Sequence, residues 1–93
     1  MEPRAAPQIR VELFGVARLR AGAAGVMVRG AELGEALADL GTVCPALEGP
    51  VVVAGLLRPS FAVNINGDRF VTDPATRLED GDSLIVLDLD AGG

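Results

Sequence analysis

The sequence predicts an α+β domain in which one main helix packs across one face of a mixed sheet. Three observations predict it: strand-like apolar segments near both ends of the chain, an Asn-Gly turn between two further apolar segments, and one stretch of helical period. Ninety-three residues make one domain with a modest core.

In order, residues 1–7 hold two prolines and no long apolar run, and read as a loose leader with no secretory signal. From Gln8 to Phe14, Ile9, Val11 and Leu13 alternate with polar residues, the period of a half-buried strand. Gly15 to Ala23 reads as a turn-like stretch closed by Gly22 and Gly25. Val26 to Arg29 then forms a hairpin partner for the first strand. The period changes at Glu32. Leu33, Ala36, Leu37 and Leu40 share one helical face, with Gly41 as the expected stop. Neither Ala31 nor Glu32 is a preferred cap, and Gly34 costs about 1 kcal/mol relative to Ala, so burial must hold this helix.

Cys44 follows, expected as a structural, half-buried thiol, since nothing around it in sequence supplies the electropositive setting of a reactive one. Pro45 to Pro59 is consistent with a short edge strand or an apolar loop: three valines favour a strand, while Gly55 and the flanking prolines oppose it. Phe61, Val63 and Ile65 alternate with Ala62 and Asn64, and Asn66-Gly67 supplies a type I′ turn before Arg69, Phe70 and Val71. Both phenylalanines are expected in the core. Leu78 is a core candidate ahead of the Asp80-Gly81-Asp82 turn, and the near-continuous apolar run Ser83 to Leu87 suits a central strand buried on both faces.

Composition narrows the chemistry. The chain has no His, Lys, Trp or Tyr, and all eight basic residues are Arg, whose guanidinium stays protonated. The usual proton shuttles and Schiff-base nucleophiles are therefore missing, and Cys44 has no His partner, so a self-contained enzyme is not expected. The acids are spread out instead of clustered at metal-ligand spacing, and no phosphate loop ending in Lys is present. The longest apolar run, Val51 to Leu57, is far short of the ~20 residues that span a bilayer. One cysteine agrees with a reducing, cytoplasmic setting. Residues 1–67 are balanced in charge, so the whole net charge of −5 comes from residues 68–93. Such a surface repels nucleic acid and favours a basic partner.

The chain ends Leu87, Asp88, Leu89, Asp90, Ala91, Gly92, Gly93. Two terminal glycines have nothing to pack, but they are slim enough to lie in a channel closed to branched residues. Extended, Leu89 to Gly93 would carry a terminal carboxylate roughly 17 Å beyond the last strand. The expected division is a leader (1–7), a folded domain (8–88) and a functional tail (89–93).

The order of strands and helix is that of the β-grasp fold of ubiquitin. From Ile9 to Gly93 the chain resembles the MoaD/ThiS family of sulfur carriers. Three stretches carry the resemblance: Leu13 to Arg20, Val63 to Gly67, and Leu78 to Asp82 with the Ala91-Gly92-Gly93 ending. The first resembles the molybdopterin synthase small subunit more than the thiamine carrier. The resemblance implies that a ubiquitin-activating-type enzyme adenylates the Gly93 carboxylate with ATP, and that a sulfur donor converts it to a thiocarboxylate. An acceptor such as the molybdopterin synthase large subunit would then take the sulfur. It implies no permanently bound cofactor. Gly93 is the expected reacting residue, with Gly92, Ala91, Leu89 and Leu87 contacting the partner. Carriers for cysteine, thiamine or another thio-metabolite, a ubiquitin-like modifier joined to lysines, and an adaptor domain remain as alternatives.

Overall fold

A computed structural model describes residues 6–89. Most of the expected leader, and the expected tail beyond Leu89, lie outside the described residues.

Strand β1 (Gln8–Leu13) buries Ile9, Val11 and Leu13, as its alternation predicts. The next stretch is a helix, α1 (Gly15–Ala21), and not the expected turn. Ala, Leu and Arg between residues 17 and 21 favour helix intrinsically, but only Ala17 is buried, so no apolar stripe marks it. Phe14, at its N-terminal boundary, gives no side-chain cap. Asp88 supplies one from the far end of the chain: its two carboxylate oxygens each lie 3.2 Å from the Val16 N–H that they accept. The helix ends at Gly22 in the left-handed region, φ 71. Strand β2 (Gly25–Arg29) returns antiparallel to β1, with Ile9 opposite Val28 and Val11 opposite Val26.

Helix α2 (Leu33–Val43) buries the four expected residues Leu33, Ala36, Leu37 and Leu40. Its first turn lacks a side-chain cap from Glu32, and backbone takes over: Leu33 and Gly34 N–H donate to the carbonyls of Thr76 (2.8 Å) and Pro74 (2.9 Å). The expected stop at Gly41 is overturned. Gly41 lies inside the helix, buried, where a Cβ would collide with the Glu48 carboxylate. Glycine here allows the following segment to close onto the helix. That segment makes one 3₁₀ turn (Pro45–Leu47) and then a small separate hairpin, β3 (Val52–Val53) and β4 (Leu56–Leu57). Its turn residues Ala54 and Gly55 both have positive φ, 51 and 81. Leu47, Val51 and Val52 are fully buried, so this stretch contributes to the core.

Strands β5 (Phe61–Ile65) and β6 (Arg69–Val71) form the expected hairpin, with Asn66 and Gly67 at φ 58 and 70. Phe61 is half-buried against the core, but Phe70 is 63 % exposed, contrary to expectation. On the edge strand β6, Val71 turns inward, and the period of two sends Phe70 out. Strand β7 (Ser83–Asp88) completes the sheet in the order β2-β1-β7-β5-β6, parallel to β1 and antiparallel to β5. It is central as expected, but not buried on both faces. Leu84 and Val86 are fully buried while Ile85 and Leu87 are half-buried, because α2 covers one face only.

The core lies between α2 and the inner face of the sheet and includes Leu78 and Ala17. Each large aliphatic side chain buried there contributes about 1.5–3 kcal/mol. Among the described residues no helix is long and apolar enough to cross a membrane.

Candidate functional site

Strand β7 ends at Asp88, just ahead of the tail expected from the sequence, and three ties hold that end. On one side Phe14 N–H donates to the Val86 carbonyl at 3.0 Å. On the other, Leu89 N–H donates to the Ser60 carbonyl at 2.8 Å, which carries strand-like pairing one residue past β7. Between them the Asp88 carboxylate accepts Val16 N–H at the start of α1. A carboxylate at a helix start gains from both the hydrogen bond and the aligned peptide dipoles. The last described residues are therefore held on both flanks.

Of the residues singled out from the sequence, Leu87 is half-buried and pairs in register with Ala62, while Leu89 is 62 % exposed. Gly93, Gly92 and Ala91 lie outside the described residues. The register places Leu87 and Ala62 in one row of the uncovered sheet face, with Ile85, Asn64 and Phe70 in the next. The Oδ1 of Asn64 is buried there without a hydrogen-bond partner among the described residues. Phe14, 47 % exposed, follows β1 at the same end of the sheet. Phe61 packs against the core, as expected.

Two site features were not recognised from the sequence. In the sequence Asp88 reads only as the last residue of the folded domain and one of the acids behind the net charge; its role depends on α1, which the turn assignment hid. The uncovered face was legible in principle, since the period of two that buries Leu84 and Val86 must turn Ile85 and Leu87 the other way.

Among the described residues no group of three or more His, Cys, Asp or Glu side chains is placed to hold a metal ion. Burial pushes the Cys44 thiol up from its ordinary value, so it stays protonated near neutral pH, as fits a structural cysteine. What the geometry offers is a central strand tied on both flanks as far as Leu89.

No protein-family model and no curated protein sequence matches this chain significantly. Solved structures do. The crystal structure of SAMP1 from Haloferax volcanii is similar with a TM-score of 0.79 and 28% identity, covering 92% of this chain and 99% of its own. The solution structure of small archaeal modifier protein 1 from Methanosarcina acetivorans gives a TM-score of 0.80 and 26% identity, over 95% of this chain and 98% of its own. CysO from Amycolatopsis orientalis, in a crystal structure of the BexX/CysO complex, gives 0.76 and 25%, over 91% and 99%. With the three sequence stretches, the sheet order and these likenesses, the chain is a ubiquitin-like β-grasp protein of the MoaD/ThiS type, among the sulfur carriers and modifiers.

Proposed function

We propose that this protein is a sulfur carrier whose Gly93 is its reacting terminus, acting as the small subunit of a molybdopterin synthase in the cytoplasm. The observation that carries the reading is the exit of β7: a Gly-Gly end follows a strand whose last residues are anchored to β1, β5 and α1. A carboxylate ionised at neutral pH resists nucleophilic attack at its carbon, so it must be activated first. In this reading a partner enzyme supplies ATP: a Gly93 carboxylate oxygen attacks the α-phosphorus, pyrophosphate leaves, and an acyl-adenylate forms. A hydrosulfide-equivalent donor then attacks the acyl carbon and AMP leaves, which gives a thiocarboxylate. The acceptor enzyme takes that sulfur. The carrier contributes position and a terminus, and its partners contribute the acid, base and nucleotide chemistry. The Leu13 to Arg20 stretch, now seen as the end of β1 and α1, supports the molybdopterin branch through its resemblance to that small subunit.

A second reading is favoured by the likeness to small archaeal modifier protein 1: conjugation of Gly93 to lysines of other proteins. One experiment separates the two. The protein with its native C-terminus is incubated with ATP, a sulfide source and an extract of its source cells, and its intact mass is followed. Exchange of one terminal oxygen for sulfur supports the carrier, and deletion of Gly93 must abolish it. An unchanged monomer beside new high-mass conjugates supports the modifier; no ATP-dependent change in either sinks both.

A further inference from the structure

An apolar groove of about 590 Å³ lies between the first half of α2, the β3–β4 hairpin and strands β5 and β6. Leu33, Leu37, Leu56, Leu57, Phe61 and Leu89 are among its walls. Leu56 is 55 % exposed and Leu89 is 62 % exposed, so large apolar side chains stand in water at its rim. Solvated apolar surface of this kind marks a place where something docks. We infer that the groove seats an aromatic or leucine anchor on the enzyme that acts on Gly93. The inference rests on the proposed role of Gly93.

The length of the tail supports that occupant. Leu89 is both a wall of the groove and the first residue of the tail, and the Gly93 carboxylate can lie no more than roughly 17 Å from there. A protein that holds this carboxylate in its active site must therefore sit beside Leu89. A standard interface takes about 800 Å² from each partner, a disc of about 16 Å radius, which covers the groove mouth. The tail cannot fill the groove itself: Asp90, Ala91, Gly92 and Gly93 offer no apolar side chain larger than a methyl. A volume of about 590 Å³ falls in the range of well-formed binding pockets, enough for a bulky side chain. The groove lining holds no acid and one charged residue, Arg58, so the anchor is seated by apolar contact, and the acids between Asp68 and Leu89 act on the partner through the charge of the domain as a whole, by speeding encounter.

The test uses Leu56→Ser and Leu56→Arg, with Met27→Ser as a control on the opposite edge strand, where Met27 is 46 % exposed. The rate of ATP-dependent modification of Gly93 in source-cell extract is measured by intact mass across a range of protein concentrations. L56S is expected to raise the half-saturating concentration at least tenfold and L56R further, with the maximal rate within twofold of wild type and M27S unchanged. Wild-type modification with unaltered half-saturation in both Leu56 variants overturns the groove while leaving the role of Gly93 intact. No modification of wild type overturns that role and the groove together. Sedimentation that shows a wild-type dimer at assay concentration and an L56R monomer would assign the groove to self-association and overturn the partner anchor. If L56R does not fold, by urea unfolding, L56S carries the comparison.

Discussion

Replacement of Asp88 by Ala tests the link between the tail exit and the rest of the domain. In the wild type both carboxylate oxygens lie 3.2 Å from Val16 N–H, at the start of a helix whose own boundary residue gives no cap. Loss of an acceptor at a helix start costs roughly 0.5–2 kcal/mol, typically about 1. Asp88 is half-buried and acts on a seven-residue helix that buries only Ala17, so about 1 kcal/mol is the expected loss for D88A. With an m-value of about 1–3 kcal/mol/M in urea, the midpoint should fall by roughly 0.3–1 M at unchanged m. Asp88→Asn retains an acceptor oxygen but no charge, and should lose about half as much. The Val16 amide resonance should shift in both variants, and the Leu89 amide, bonded to Ser60 beyond β7, should lose protection from exchange in D88A. A midpoint within 0.1 M of wild type, with Val16 unperturbed, would refute the reasoning and leave Asp88 as an ordinary solvated acid.

Three further outcomes are expected. Ala54, at φ 51 in the β3–β4 turn, should be improved by glycine, and A54G should gain about 0.5–1 kcal/mol in urea unfolding. Gly30 is buried against the backbone of Glu35 and Ala36, where an added Cβ finds Ala36 Cα at 2.8 Å; G30A should lose about 1–3 kcal/mol, read by the same assay. The raised Cys44 pKa means that the folded state holds its proton more tightly than the unfolded chain. The resulting stability is present below about pH 8.5 and is lost as pH rises through the folded value. With no Lys or Tyr in the chain, Cys44 is the side chain that titrates in that window, so the difference between unfolding midpoints at pH 7.5 and 10 should be larger in wild type than in Cys44→Ala.

The sheet was legible because β1 and β5 alternate, Asn66-Gly67 marks a hairpin and β7 is a near-continuous apolar run, and α2 because Leu33, Ala36, Leu37 and Leu40 fall on one face. Elements without a period were not. Helix α1 buries a single residue, and β3 and β4 have two residues each, too few to show alternation. Gly41 was misjudged because a glycine that ends a helix and one that admits a neighbour look alike in sequence; only the Glu48 carboxylate beside it decides. Phe70 was assigned to the core by residue type, whereas its neighbour Val71 on the edge strand fixed its direction. At the site, the identities of Leu87 and Leu89 could be read, but the bond from Asp88 to Val16 spans 72 residues and depends on tertiary closure.

The parallel pairing of β1 and β7 has a mechanical consequence. The chain enters the sheet through β1 and leaves through β7, with Arg10 to Leu13 set against Ser83 to Val86 in the same direction. Tension between the two ends pulls these neighbours in opposite senses along their length, so their hydrogen bonds are loaded together in shear and cannot be peeled one at a time. A partner that grips the exit of β7 and pulls therefore meets the domain along its most resistant axis, and the grip can be tight without unravelling what it holds.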